Sequence, residues 1–409
     1  MTNEVKNVPE LRFSDFSDEW EEKKLEDLLK FNNGVNASKE QYGTGIKFIN
    51  VLDILNTNFI TYDKIIGRVN VSKAVENRNK VEYGDILFLR SSETREDVGM
   101  CNVYLDKEKH SLYGGFIIRG KKIGEYSPFF LKILLNNSKA RKSISSLAGG
   151  STRFNVSQDI LKVVGILVPK MNEQIKIGDF FSKLNQQIEL EEQKLEKLEE
   201  QKKGYMQKIF SQELRFKDKN GNEYPEWEVI KLKDILSERK EYSSKIGNYP
   251  HATLSTSGIS LKSDRYNRDF LVKDKNKKYK VTIMNDICYN PANLKFGVIT
   301  RNHIGSVIFS PIYITFEVNN AHSPLFIELL VTRNDFINRV RKYEEGTVYE
   351  RMAVKPEDFL NYETKIPCLE EQEKIGDFFS KLDKVINKQR QKIDELKLRK
   401  QGLLQKMFV

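Results

Sequence analysis

The sequence predicts a tandem α+β architecture. Two similar globules of mixed α/β type alternate with two long helices, which pair as an antiparallel coiled coil. Three observations predict it. Residues 173–184 read EQIKIGDFFSKL and residues 371–382 read EQEKIGDFFSKL; the 198-residue offset holds without a gap to Gln207-Lys208-Ile209-Phe210 and Gln405-Lys406-Met407-Phe408. Both copies carry an apolar heptad, and the sequence before each consists of short β-prone runs broken by turn residues.

In chain order the elements are an N-terminal arm (1–19), a first globule (20–170), a first spacer helix (171–211), a connector (212–226), a second globule (227–368) and a second spacer helix (369–409). Glu10-Leu11-Arg12-Phe13 in the arm returns in the connector as Glu213-Leu214-Arg215-Phe216. Trp20, with Leu25 and Leu28-Leu29 after it, opens the first globule and returns as Trp227, Leu232 and Ile235-Leu236. Lys47–Leu52, Asp85–Leu89 and Gly115–Arg119 read as strands, and Asp85–Phe88 corresponds to Asp286–Tyr289. Ser127-Pro128, an N-cap residue followed by a first-turn proline, opens a helix through FFLKILLNNSKARKSI. Ser323-Pro324 opens its counterpart, LFIELLVTRNDFINRV. The globules diverge where the helices do not, as variable domains on a constant scaffold would.

In the first helix, Ile177, Leu184, Leu198 and Tyr205 occupy one seam position and Phe181, Ile188, Leu195 and Ile209 the other. The second copy supplies Ile375, Leu382, Leu396 and Leu403, with Phe379, Ile386, Ile393 and Met407. A seam kept over about five heptads amid Glu, Lys and Gln argues for a coiled coil over the buried face of one globular helix. Both copies interrupt it at the same places, Glu191/Gln389 and Lys202/Lys400. About 37 residues at ~1.5 Å each make a rod of roughly 55 Å.

Composition narrows the function classes. The chain has 68 Lys and Arg against 58 Asp and Glu, a net charge of +10, which suits a polyanionic partner without identifying one. Its 24 Phe and 17 Tyr, spread over the whole length, argue against extended disorder. No apolar run approaches the ~20 residues of a membrane helix, and the start MTNEVKNVPELRF lacks a signal-peptide stretch, so no membrane contact is expected. Cys101, Cys288 and Cys368 are odd in number and far apart, which speaks against a disulfide framework and for a reducing cytoplasm. His110, His251, His303 and His322 lack ligand spacing, and no metal site is expected.

Three catalytic patterns fail on inspection. Gly115 to Lys122 imitates a phosphate-binding loop but lacks the final Ser or Thr for magnesium, and its cradle is a β-like apolar run. Asn290-Pro291-Ala292-Asn293 lacks the second proline and the aromatic of an amino-methyltransferase motif. Asp358 with Glu363-Thr364-Lys365 has a nuclease flavour but no counterpart in the first repeat. No catalytic residue and no bound cofactor are therefore expected.

Loops rich in polar and cationic residues follow equivalent strands in the two globules. The candidates for contacting nucleic acid are Arg90, Ser91, Ser92 and Arg95, then Ser151, Thr152 and Arg153, in the first globule. In the second they are Asn290, Asn293 and Lys295, then Thr347, Tyr349 and Arg351. Such side chains read base edges, and the neighbouring glycines let backbone approach phosphate. For any one loop a solvated surface is the better reading; two loops at matching places in both repeats shift the balance towards a nucleic-acid face. The basic run DKNKKYK at 274–280 reads better as a hairpin face.

As a set, the repeated motifs resemble those of the specificity subunits of type I restriction–modification enzymes. Leu167-Val168-Pro169, Glu173-Gln174, Ile177 and Phe180-Phe181 with Leu184 carry the likeness, with Ile366-Pro367, Glu371-Gln372, Ile375 and Phe378-Phe379 with Leu382 as second copies. The Trp20 and Trp227 segments agree with it. Cys368 after Ile366-Pro367, where the first copy has Lys170, is a minor departure. The resemblance implies two target recognition domains reading the halves of an asymmetric double-stranded DNA site, with the helices setting the spacing. It implies a chain without catalysis of its own that docks two methyltransferase subunits using S-adenosylmethionine. Two restriction subunits using ATP and Mg2+ join where such an enzyme also cuts. The competing readings are a stand-alone methyltransferase or nuclease with its own DNA recognition, and a coiled-coil scaffold without DNA specificity.

Overall fold

The computed structural model describes residues 7–55, 58–244, 249–262, 278–344 and 353–409. Two compact units emerge: Met1–Leu195 with Gln389–Val409, and Glu196–Lys388. Each therefore contains one globule, the first part of its own helix and the last part of the other copy's helix.

The first unit is organised by a four-stranded antiparallel sheet in the order Leu29–Asn33, Ile117–Lys122, Ile86–Leu89, Cys101–Val103. The run Ile-Leu-Phe-Leu forms its centre because both faces are covered. Ile86 and Phe88 join a core with Trp20, Phe130 and Ile177, while Leu87 points into a second cluster with Ile49, Tyr113 and Ile117. The second unit repeats the sheet as Leu236–Glu238, Ile314–Val318, Ile287–Tyr289, Ile299–Arg301. Its core gathers Trp227, Tyr289, Phe316, Phe326 and Ile375. A short ladder ties the two ends of each globule together, Glu21–Lys24 with Gly165–Val168 and Glu228–Lys231 with Glu363–Ile366.

Several local expectations change. The helix opened at Pro128 stops at Leu135, and a second one runs Ser138–Ser146 with Asn137 as its N-cap, accepting from the Ala140 amide. Asn136-Asn137 makes the break, because short amide side chains compete with helical hydrogen bonding. Likewise Pro324–Thr332 and Asn334–Val340 are separate helices joined at extended Arg333. The strand over Lys47–Leu52 ends at Ile49, and Leu52 lies, exposed, in the short helix Val51–Leu55. Of the basic run 274–280, residues from Lys278 form a strand and the earlier ones lie outside the described residues.

The long helices span Met171–Phe210 and Leu369–Lys406, and they explain why their sequences stayed alike. In the first unit both oxygens of Glu173, which is 1% exposed, accept from Arg12 at 2.7 and 2.6 Å. Glu371 accepts from Arg215 at 3.3 and 2.7 Å and from the Trp227 indole at 3.3 Å. Gln174 accepts from the Ser127 amide and donates to the Pro169 carbonyl; Gln372 does the same with Ser323 and Pro367. The following glycine admits the neighbouring helix: a Cβ at Gly376 would lie 2.8 Å from that of Leu325.

Within each unit the helix segments run antiparallel. In the first, Gln389 donates to the Glu191 backbone and carboxylate at 3.0 and 2.7 Å, Lys392 pairs with the same carboxylate, and Lys397 meets Glu192 at 2.6 Å. The two residues that break the heptad at equivalent positions thus satisfy each other. In the second, Lys202 pairs with Asp383 at 2.5 Å and Tyr205 packs edge-on against Phe378. The seam residues Ile177, Phe181, Leu184, Ile188, Ile209, Ile375, Phe379, Ile386 and Ile393 are buried, and Leu195, Leu198, Leu382, Leu396 and Leu403 half-buried. Tyr205 departs from the expected seam, at 39% exposed.

Lys400 is the first unit's seam-breaking lysine. It lies half-buried, its pKa lowered chiefly by burial, and it repels Lys132. Burial, with that like charge, lowers the Lys132 pKa from its ordinary 10.5 to about 8. Between those two values the unfolded chain holds the proton more tightly, so stability should rise as pH climbs from 8 towards 10.5. Lys132→Met should stabilise the first unit at neutral pH and flatten that rise. Urea unfolding at several pH values checks it, and an unchanged slope would count against the account.

Candidate nucleic-acid interface

Strand Ile86–Leu89 delivers Arg90 to the edge of the first unit, and the chain then makes a short strand, Ser91–Ser92. Ser91–Ser92 pairs antiparallel with Phe154–Asn155, Ser92 opposite Phe154 and Ser91 opposite Asn155. The Val156 amide donates to the Arg90 carbonyl at 3.0 Å, and Gly149 and Asn155 exchange both backbone bonds. These contacts join the two candidate loops into one surface. Ser151, Thr152 and Arg153 are exposed on it, as is Arg95, while Arg90, Ser91 and Ser92 are half-buried.

The cations on this surface are organised by aromatic rings. Arg95 lies over Phe154 at 4.8 Å and Arg153 over Phe116 at 5.9 Å. Arg90 donates to the Gly115 carbonyl through Nη1 at 3.3 Å. Stacking restricts the rotamers of a guanidinium while leaving its donors available, which suits bidentate recognition. Phe116 was not among the sequence candidates. The run Gly115–Arg119 reads as a strand, but only Ile117 onward is paired in it, and Gly115 and Phe116 form the turn before it.

In the second unit the corresponding loop is a 3-10 turn, Pro291–Phe296. Asn290 is its N-cap: the side chain is buried and its Oδ1 accepts from the Ala292 amide at 3.2 Å. Asn293 is half-buried, and Lys295 is exposed beside Phe296, over whose ring it lies at 5.0 Å. The Val354 amide reaches the Pro291 carbonyl at 3.4 Å, the match of the Val156–Arg90 bond. Thr347, Tyr349 and Arg351 lie outside the described residues.

The charged groups beneath these loops serve structure. Asp85, its pKa raised chiefly by burial, accepts from the Glu82 and Lys122 amides, with Arg119 at 3.9 Å. Asp286 is held by Arg239 at 2.8 and 3.1 Å. Burial alone would raise the Glu328 pKa, but its contacts with His303 and Arg301 hold it low. Among the described residues no three His, Cys, Asp or Glu side chains gather as metal ligands, and no helix is long and apolar enough to cross a membrane. A cavity of about 980 Å³ in the second unit, between Met206, Phe210, Arg333 and Tyr362, is lined by none of the candidate loop residues among those described.

The family model described as the type I restriction modification DNA specificity domain matches residues 17–200 and again 224–398. The chain is 25% identical over 235 residues to the putative type I restriction enzyme MjaX specificity subunit of Methanocaldococcus jannaschii, covering 55% of each chain. It is 26% identical over 153 residues to the type I restriction enzyme EcoKI specificity subunit of Escherichia coli K12, covering 37% of this chain and 32% of that one. The match thus spans about half the length of the first of these relatives and a third of the second. Among solved structures, the type I restriction–modification S subunit from M. genitalium superposes with a TM-score of 0.60 at 16% identity, over 98% of this chain and 99% of that one. A chain from a structure of the type I R-M system gives 0.54 at 12% identity, over 95% and 97%. Matched by one family model over both of its repeats, the chain belongs to the type I restriction–modification DNA specificity family.

Proposed function

We propose that the chain is the sequence-specific DNA-binding subunit of a type I restriction–modification complex. Residues 20–170 and 227–368 each read one half of an asymmetric, two-part site in double-stranded DNA, and the spacer helices set the distance between the halves. The observation that carries this reading is the joining of loops 90–95 and 149–155, with three arginines, into one surface of the first unit. Phosphate contacts orient each globule, and groove contacts choose the bases.

Adenine methylation with S-adenosylmethionine belongs to two methyltransferase subunits that dock on this chain. ATP- and Mg2+-dependent cleavage belongs to two restriction subunits where they join. The methyltransferase must take its adenine out of the stack, work that falls to that partner. The setting is the cytoplasm of a bacterial or archaeal cell, where chromosomal DNA is accessible. Mapping methylated adenines in DNA from cells expressing this chain with its cognate methyltransferase tests the reading; random or absent methylation would refute it.

Arg153→Ala should weaken methylation at one half-site and leave the other unchanged. A bidentate base contact is worth ~1–3 kcal/mol, or roughly 5- to 150-fold. Unchanged methylation at both would return Arg153 to ordinary solvated surface.

A further inference from the structure

Single exposed apolar side chains are ordinary on protein surfaces. Phe116 differs in its setting. It is 57% exposed on the turn ahead of strand Ile117–Lys122. The turn is fixed from below: the Arg90 amide donates to the Phe116 carbonyl at 2.8 Å, and Arg90 Nη1 donates to the Gly115 carbonyl. Gly115 permits the close approach, since a Cβ there would lie 1.8 Å from Asn36 Oδ1. The Arg153 guanidinium lies 5.9 Å from the centre of the Phe116 ring, so the ring stands beside Arg153 on the arginine-bearing surface.

The second unit has an exposed apolar residue at the matching register, of different chemistry. Ile118 pairs with Phe88, and Ile314 pairs with Tyr289 at the matching place in its own sheet. Two residues ahead of each pairing stand Phe116 and Ile312, the latter 62% exposed on a turn closed by the Tyr313 amide and Ser310 carbonyl. Both globules therefore hold an exposed apolar side chain at one position of the sheet register, two residues ahead of a pairing with the strand that leads into a candidate loop, and the residue differs between them.

The apolar group on a base edge in the major groove is the 5-methyl of thymine. We propose that Phe116 is a specificity-determining residue whose ring packs against a thymine methyl in the half-site read by the first unit. Ile312 plays the corresponding part in the second. The proposal rests on the DNA-reading function above and adds to it a particular base and a particular chemical contact. The clamp through Arg90 matters to it, because a ring held in place loses little freedom on contact.

The test uses the full chain in complex with its methyltransferase. Exchanging residues 20–170 for a related globule identifies which half-site the first unit reads. Each thymine in that half-site, on either strand, is then replaced singly by deoxyuridine, which lacks only the methyl group. One such replacement should weaken binding by the unaltered protein about fourfold, the worth of one buried methyl. Phe116→Ala should bind the thymine duplex at least as weakly and no longer distinguish it from the deoxyuridine duplex. Phe116→Leu should keep the preference for thymine. The proposal falls if no replacement affects the unaltered protein, a result that needs no variant to fold. It also falls if Phe116→Ala keeps the full preference. A globule exchange that alters neither half-site would instead overturn the DNA-reading function itself.

Discussion

Phe408→Ala is expected to destabilise the first unit by about 3–5 kcal/mol, the usual cost of removing a fully packed phenylalanine. Phe408 is 4% exposed, stacked on Phe130 at 5.8 Å, edge-on to Trp20 at 6.0 Å and tilted against Phe181 at 6.0 Å. The end of its helix is anchored as well, since the Leu11 amide donates to the Lys406 carbonyl at 2.8 Å. Alanine would leave a cavity among three aromatic rings that hold one another in place. The matching change, Phe210→Ala, should affect the second unit less. Phe210 stacks on Phe326 and meets Trp227 edge-on, but it is only half-buried and Arg333 already covers its ring. The two tryptophans, Trp20 and Trp227, fall one to each unit, so urea unfolding followed by fluorescence in a Trp227→Phe background reports the first. A loss below about 0.5 kcal/mol, within the range of ordinary surface changes, would contradict the packing account.

Seven residues inserted after Leu195, together with seven after Lys388, are expected to lengthen the unread gap by about three base pairs and leave both half-sites unchanged. Both helices pass from one unit to the other at those bonds. The insertion must be made in both. The helix segments pair within each unit, Glu191 with Gln389 and Lys202 with Asp383, so lengthening one alone would oppose seam to nothing. Seven residues preserve the heptad and add roughly 10 Å at ~1.5 Å each, against ~3.4 Å per base-pair step. Two residues in both helices would instead turn the following segment by about 200°, and assembly should fail. Methylome sequencing of both variants reads the outcome. An unchanged gap in the seven-residue variant would show that the helices do not set the spacing.

The scaffold was legible in the sequence because its physics is periodic. Ile177, Phe181, Leu184 and Ile188 recur at heptad spacing, and all four are buried. Even the interruptions were informative, since Glu191 and Gln389 break the seam together and meet each other. Non-periodic features were not legible. The helix break at Asn136-Asn137 competes with a strong apolar run on its N-terminal side. Tyr205 fits the heptad yet remains partly in solvent, because a ring can pack edge-on while its hydroxyl stays wet. The ladder joining Ser91–Ser92 to Phe154–Asn155 is two residues long on each side, too short for any alternation to announce it. Phe116 was hidden for a related reason, as an aromatic directly before a strand looks like part of that strand.

The way each core is completed has a consequence for synthesis on the ribosome. The first unit's hydrophobic cluster includes Met407 and Phe408, whereas everything in the second unit lies between Glu196 and Lys388. The second globule can close while the last helix is still being made. The first, translated earlier, must wait with Trp20 and Phe130 uncovered until Met407 and Phe408 emerge. At ~5–20 residues per second that delay is about 10–40 s. Nascent chains stalled at increasing lengths should therefore become protease-resistant in reverse order, residues 196–388 before residues 20–170. If the earlier segment were protected first, its core would not need the distant helix end to close.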